Sequence, residues 1–374
     1  MWFAVRDIRR SRVKFALFGA MVALVGALVL ILTGLGQGLA DASVSGLQRV
    51  PADAYVYQKD VRQFLSRSTV TLEQVSEAGD IDGVAASQPL GAFTASARRA
   101  PGAAPDDVAL FGVDPGSTIP PAGVDLSTPG TGWADVALER AGVSVGDVLT
   151  VEPSKRTVRV LGFVDAGTYS HLPVVYVPLA DWQAIKFGPV DGSGQVPAAA
   201  SQLASAAVLT LDPGVTPADI ADDVARAVDG VEVLTPAQAV AATPGYKEET
   251  GTVNLMIGFL YVIGALVVGT FFWTAAAGRV GEVAVLRAIG ASTGRVMREH
   301  MAQVTVVSVV GLALAAVGSL LLARMLPTGV PFSLPASTVA VTSLVLLVVA
   351  VVAGLVPLRK LANVDPLLAL GRNL

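Results

Sequence analysis

The sequence has no cysteine, few charged residues and only two histidines, and each scarcity excludes a class of protein or site. Without cysteine no disulfide can form, so any domain must be stabilised by its own core. Charged residues make up 15% of the chain and hydrophobic residues 53%, which is far from the composition of a soluble globular domain. The sequence therefore predicts a membrane protein.

Motifs for metal binding, nucleotide binding and nucleophilic catalysis are also missing from the sequence. His171 and His300 do not have the spacing of paired metal ligands. No Gly-x-x-x-x-Gly-Lys-Ser/Thr segment can cradle phosphates, and no Gly-x-Ser-x-Gly segment can present a nucleophile. We therefore expect no catalytic residue and no bound cofactor or metal. His171 falls in a predicted turn between strands, where we expect a surface or structural role.

Four apolar stretches are each long enough to form a transmembrane helix. At ~1.5 Å per residue, about 20 residues cross a hydrocarbon core of ~30 Å. The first stretch precedes a long polar region, and the other three follow it. We expect transmembrane helices at residues 15–37, 251–277, 301–324 and 338–358.

Basic residues near the helix ends predict how the chain is oriented. They concentrate in residues 1–14, 278–300 and 359–374, which places these segments in the cytoplasm of a bacterial cell and both termini inside the plasma membrane. Residues 38–250 and a loop at 325–337 then lie outside. The three inner segments hold twelve basic and four acidic side chains, so the remainder carries −12 within a chain of net charge −4. Such an acidic exterior argues against nucleic-acid binding.

The long outer region has the pattern of a mixed α/β domain. A strand-helix-strand pattern occurs at Ala54–Thr94, where Thr71 to Gln74 forms a capping box, and again at Ala206–Leu234, where Thr216 precedes Pro217. We expect these two units to form one split subdomain, residues 45–100 and 203–245. Residues 101–202 would be an inserted module. The predicted fold is thus a four-helix membrane protein with a large extracytoplasmic α/β domain between helices 1 and 2.

The loop between the second and third spans contains a short amphipathic helix. Leu286 and Ile289 fall three residues apart on one face, whereas Arg287 is left for water or for a partner's charges. An apolar ridge of this kind suits docking into a groove of a partner protein. An ordinary positive-inside loop would explain the arginines but not the ridge. The residues expected to contact the partner are Glu282, Val285, Leu286, Arg287, Ile289 and Gly290.

This loop, together with the four spans and the large outer domain after the first, resembles the permease subunits of MacB/FtsX-type ABC transporters. The segments that match are Glu282-Val-Ala-Val-Leu-Arg-Ala-Ile-Gly-Ala291, Gly142-Val-Ser-Val-Gly-Asp147 and Pro357-Leu-Arg-Lys-Leu-Ala-Asn-Val-Asp-Pro366. The resemblance implies that the loop is a coupling helix that docks on a separate ATPase subunit, itself a dimer. ATP would then be used by the partner.

Within that family the chain is most similar to haem exporters of the HrtB type and to DevC-like permeases. The similarity rests on Thr243-Pro-Gly-Tyr-Lys-Glu-Glu249 and on the start Asp7-Ile-Arg9. Tyr246, Glu248 and Glu249 would offer oxygen ligands to ferric haem, and Lys247 could meet a propionate. Alternatively, Tyr246 is an interfacial anchor and the charges cap a helix.

Small residues within the spans predict close helix packing. They occur at Gly34, Gly36 and Gly38 in the first span and at Gly311 and Ala315 in the third. We expect packing to include a second copy of the chain and the surrounding lipid, because four helices alone make a poor transport path. The leading interpretation is a homodimeric efflux permease for a hydrophobic substrate, with haem first. Alternatives are a mechanical relay to an extracellular cell-wall hydrolase, as in FtsX-like proteins, or export of lipid, lipoprotein or antibiotic.

Arg287→Glu or Ile289→Asp should abolish coupling to ATP hydrolysis and leave membrane insertion intact, because each places a charge on the predicted docking surface without touching a span. The measurement is transport by the complex beside a membrane-fraction assay of the chain. Normal transport by either variant would contradict the coupling assignment.

Overall fold

The computed structural model describes residues 12–99, 106–189, 196–277, 292–327 and 330–355. The chain divides into two compact units, one of residues 1–38 with 251–374 and the other of residues 39–250. Among the residues described, four helices are long and apolar enough to cross a membrane, and a mixed α/β domain lies between the first and the second in sequence. The predicted fold class is confirmed.

The membrane unit contains helix α1 up to Gly38 and three further helices. Here and below, helices and strands are each labelled in chain order. The four long helices are α1 (Arg12–Gln48), α7 (Tyr246–Ala277), α8 (Thr293–Met325) and α9 (Ala336–Leu355).

Three of these helices extend beyond the apolar stretches from which they were predicted. Helix α1 does not end at residue 37 but continues to Gln48, α7 begins at Tyr246 before residue 251, and α8 begins at Thr293 before residue 301. Hydropathy marks only the apolar part of a helix. Alanine, leucine, glutamine and glutamate continue the helical backbone into polar surroundings because they lose little side-chain freedom there.

Glycines on α1 and α8 bring these two helices into close contact. A Cβ built on Gly26 would lie 3.0 Å from the Cβ of Ala315, and one built on Gly311 would lie 2.9 Å from the carbonyl oxygen of Gly19. At the other end of the span, a Cβ on Gly34 would lie 2.5 Å from the ring of Phe332, in the loop between α8 and α9. The small residues predicted to pack helices therefore do so within one chain.

The outer unit contains twelve strands and five helices among the residues described. The strands are β1 (Ala54–Gln58), β2 (Val70–Thr71), β3 (Val84–Arg98), β4 (Asp106–Val113), β5 (Thr131–Asp135), β6 (Val148–Val151), β7 (Arg156–Val164), β8 (Thr168–Tyr169), β9 (Leu172–Pro178), β10 (Leu203–Ala204), β11 (Ala206–Leu211) and β12 (Val231–Leu234). The helices are α2 (Leu72–Gly79), α3 (Val136–Arg140), α4 (Leu179–Phe187), α5 (Pro217–Ala227) and α6 (Pro236–Ala241), with a 3-10 turn at Ala200–Gln202.

Four strands and two helices come from the two predicted strand-helix-strand units. The strands lie in the order β12-β1-β11-β3, and every neighbouring pair is antiparallel. Helices α2 and α5 cover one face through a shared apolar core that includes Val75, Ile220 and Val224. The predicted capping box is present, since Gln74 N donates to Thr71 Oγ1 and Thr71 N donates to Gln74 Oε1. Both predicted strand-helix-strand units are confirmed.

Five further strands, β4, β5, β6, β7 and β9, close into a barrel with strand β3 of these units, while β8 pairs with β9 and β2 with β10. Pairing runs from β3 through β4, β9, β5, β7 and β6 and returns to β3, where Ala97 lies opposite Val151. Side chains alternate between two cores, so Leu110 and Val175 belong to one while Phe111 and Tyr176 belong to the other. The predicted border between subdomain and inserted module stays a prediction, because the sheet is continuous across it.

Substituting alanine at Gly311 should lower the thermal stability of the chain. The added methyl group must displace the α1 backbone at Gly19, and overpacking of this kind costs about 1–3 kcal/mol. The matched control is Gly318→Ala on the same helix, where nothing lies within 4 Å of the added atom. The measurement is thermal unfolding of the full chain in detergent, and equal midpoints for the two variants would contradict the packing account.

Candidate functional site

A hairpin of the outer domain holds the C-terminal end of helix α1. Tyr169 pairs with Leu172, so Ser170 and His171 form a two-residue turn, and both have positive φ (51° and 66°). Positive φ at both positions is what a type I′ hairpin turn requires. This turn directs the two N–H groups outward. Ser170 N donates to the Ser43 carbonyl and His171 N to the Ala42 carbonyl, each at 2.9 Å.

Hydroxyl groups add a second layer of contacts along the same helix end. Ser45 Oγ and Thr168 Oγ1 lie 3.0 Å apart, and Thr168 N donates to Ser45 Oγ at 3.0 Å. Thr168 Oγ1 also donates to the Asp41 carbonyl at 3.2 Å. We call the contacts between residues 41–49 and residues 165–172 the clasp.

Two glycines allow the hairpin and the end of helix α1 to approach each other this closely. A Cβ on Gly46 would lie 2.7 Å from Val174 Cγ2, and one on Gly167 would lie 2.8 Å from the backbone nitrogen of Gly46. Gly167 also has φ +77°, and its N–H donates to the buried carboxylate of Asp135 at 2.7 Å. Any larger residue at either position would push the hairpin away from the helix.

The hairpin and the helix end are both anchored in one buried core. Leu47, Tyr55 and Tyr169 belong to this core, and the Tyr55 hydroxyl donates to the Leu47 carbonyl at 3.2 Å. Burial raises the pKa of Tyr169 to about 12 and raises that of Tyr55 further. Both phenols therefore stay protonated and uncharged at neutral pH, as a packed apolar core requires.

Glu249 of helix α7 joins the clasp through two side chains. Its Oε1 lies 3.0 Å from His171 Nε2, and its Oε2 accepts a hydrogen bond from Ser43 Oγ at 3.0 Å. Ser43 Oγ and His171 Nε2 are themselves 3.2 Å apart, so the three side chains form a closed triangle. Ser43 is buried, whereas the side chains of His171 and Glu249 are 42% and 33% exposed.

The four residues that the sequence suggested for haem binding differ in their contacts and their exposure. All four lie in the first turn of α7, but only Glu249 has contacts in the triangle. Tyr246 is half-buried, and Lys247 and Glu248 are exposed. Ser43, Ser45, Gly46 and Gly167 were missed, although a run of small and hydroxyl residues, Ala42-Ser-Val-Ser-Gly46, was the signal at the helix end. The expected structural role of His171 matches its contacts.

The predicted coupling residues Glu282, Val285, Leu286, Arg287, Ile289 and Gly290 lie outside the described residues. Their role stays a prediction.

The membrane unit has an apolar groove between helices α1 and α7. Its volume is about 400 Å³, and its lining is almost wholly carbon. Leu28 and Phe259 are 51% and 63% exposed there, so the groove opens outward from the helices. It is lined by Leu28, Ile31, Leu32, Leu35, Met256, Phe259 and Leu260.

Comparison with known proteins finds a permease domain and several permease relatives. Residues 254–366 match the family described as FtsX-like permease C-terminal. A hemin transport system permease protein, HrtB, from Staphylococcus haemolyticus is 24% identical over 99% of both chains. An uncharacterised ABC transporter permease from Mycobacterium bovis is 25% identical over 99% of both. The chain thus has an FtsX-like permease domain at residues 254–366 and is similar over its length to ABC transporter permeases.

Among solved structures, the periplasmic region of MacB from Actinobacillus actinomycetemcomitans is similar to 52% of this permease and 94% of that chain, with 10% identity and a TM-score of 0.36. The FtsX-like match at residues 254–366 and the HrtB relative confirm the resemblance found in the sequence. An FtsX-like permease domain implies an ATPase partner, and together with the four apolar helices it indicates a membrane protein with an extracellular domain.

Proposed function

We propose that this permease works as a homodimer, is driven by a separate ATPase, and exports a hydrophobic substrate, with haem as the leading candidate. Its own role is non-catalytic, since the partner hydrolyses ATP. Both termini and the coupling segment at residues 278–300 would lie in the cytoplasm, where the ATPase is found. This topology follows from the basic segments.

The observation that carries the proposal is the apolar groove between α1 and α7. In sequence its lining is next to the extracellular domain, since Leu35 shortly precedes that domain and Met256 shortly follows it. A hydrophobic molecule dissolved in the outer leaflet could enter such a groove sideways. A second copy of the chain facing it would close the remaining side.

Haem fits this groove by its chemistry. Its macrocycle is apolar and would bury its face against leucine and phenylalanine, while its iron and propionates need polar partners. The sequence offers Tyr246, Lys247 and Glu248 as candidates for these partners, whereas Glu249 is already bound to Ser43 and His171. The HrtB relative, named as a hemin transport permease, supports haem ahead of lipid, lipoprotein or antibiotic.

A mechanical relay is the second candidate, and the clasp favours it. A helix that continues from the membrane unit to the clasp could move the outer domain without moving any substrate. That movement could switch an extracellular partner such as a cell-wall hydrolase. The two functions differ in whether a small hydrophobic molecule stimulates ATP hydrolysis.

Haemin should stimulate ATP hydrolysis by the permease reconstituted in liposomes with its ATPase. Leu32→Trp should raise the half-saturating haemin concentration about tenfold, because the larger side chain fills the groove. A tenfold change corresponds to a loss of roughly 1.4 kcal/mol of binding free energy. Tyr246→Phe and Lys247→Gln should weaken the same response if they contact haem. The measurement is ATPase rate against haemin concentration.

The matched control is Leu24→Trp, on the same helix but outside the groove and 73% exposed. It should respond to haemin as the unaltered permease does. A flat titration for the unaltered complex would remove haem and favour the relay, whereas equal effects of the two tryptophans would remove the groove as the binding site.

A further inference from the structure

The triangle of Ser43, His171 and Glu249 has more acceptors than protons. The serine hydroxyl carries one proton, and His171 Nε2 carries at most one. Ser43 Oγ lies within reach of both Glu249 Oε2 at 3.0 Å and the Leu39 carbonyl at 3.1 Å. His171 Nε2 lies within reach of both Glu249 Oε1 at 3.0 Å and Ser43 Oγ at 3.2 Å. Each proton therefore has a choice of two acceptors.

These choices give two complete hydrogen-bond arrangements. In the first, Ser43 and His171 both donate to the carboxylate of Glu249, which ties the start of α7 to the clasp. In the second, Ser43 donates to the Leu39 carbonyl within its own helix, and His171 donates to Ser43 Oγ. The second arrangement leaves no buried donor unsatisfied and does not use Glu249, so the carboxylate can leave into water.

Burial favours such a switch between the two arrangements. The group that stays, Ser43, is 1% exposed, and its hydroxyl is satisfied in either state. The group that leaves, Glu249, is already 33% exposed on its side chain and is readily solvated. The backbone contacts of the clasp involve neither side chain and can persist throughout.

We propose that Ser43, His171 and Glu249 form a latch that alternates between these arrangements, with His171 as the positioning residue that holds the start of α7 against the end of α1. The first arrangement is the closed latch and the second is the open latch. Assigning the opening to a step of transport rests on the proposed function; the opening itself is a property of the chain alone.

The absence of cysteine allows the latch to be tested in the full-length permease. Spin labels on Gln48→Cys and Lys247→Cys, both exposed and both outside the triangle, report the distance between the end of α1 and the start of α7. The measurement is a double electron–electron resonance distance distribution in lipid nanodiscs, without ATPase and without haemin. We expect a short-distance and a long-distance population.

Glu249→Gln should raise the ratio of long to short distances about tenfold, the effect of losing a hydrogen bond to a charged group. His171→Asn should do the same, because asparagine keeps the left-handed backbone of the turn but its short amide does not reach Glu249. The matched control is Glu248→Gln, an identical charge change on the neighbouring exposed residue, which should leave the ratio unchanged.

Unchanged distributions for Glu249→Gln and His171→Asn would overturn the latch, as would an equal change in Glu248→Gln. A lower thermal midpoint with an unchanged distance ratio would show that His171 is merely structural and would also overturn it. A flat haemin titration would contradict haem export without affecting these distances, so the two proposals fail separately.

Discussion

The fixed contact between the end of helix α1 and the hairpin of residues 165–172 is the constraint on which the arrangement of this permease depends. A single helix of 37 residues begins in the membrane unit and ends in the core of the outer domain. Its last turns receive backbone N–H groups from a type I′ turn, hydroxyl contacts from Thr168 and close packing at Gly46. Rotation or translation of these last turns must therefore move the hairpin, and with it the sheet to which the hairpin belongs.

Helix α7 is held in a different way. Its first turn contacts the clasp through the carboxylate of Glu249, which water can solvate instead. Helix α1, in contrast, is held through backbone hydrogen bonds and close packing at Gly46. Displacing the end of α1 would therefore break backbone hydrogen bonds to the hairpin, whereas displacing the first turn of α7 would break the side-chain contacts of Glu249.

Much of the fold could be predicted from the sequence because its signals are local. Apolar runs, the capping box at Thr71 and the proline after Thr216 depend on neighbours a few residues apart. The barrel could not be predicted, because its closure depends on the far end of β3 pairing with β6. The triangle could not be predicted either, since Ser43 is 128 residues from His171 and 206 from Glu249. The predicted span ends at residue 37 because it follows hydropathy alone, whereas helix α1 continues to Gln48.

The most direct test of the fixed contact is a disulfide between Ser45→Cys and Thr168→Cys, whose hydroxyl oxygens lie 3.0 Å apart in a chain with no other cysteine. The measurement is ATP hydrolysis by the complex with its ATPase, oxidised and then reduced, with each single cysteine as control. The account predicts that the disulfide forms readily and that the oxidised complex hydrolyses ATP as the reduced one does, because α1 and the hairpin never separate. Activity lost on oxidation and regained on reduction would show that the clasp opens during turnover and would contradict the account.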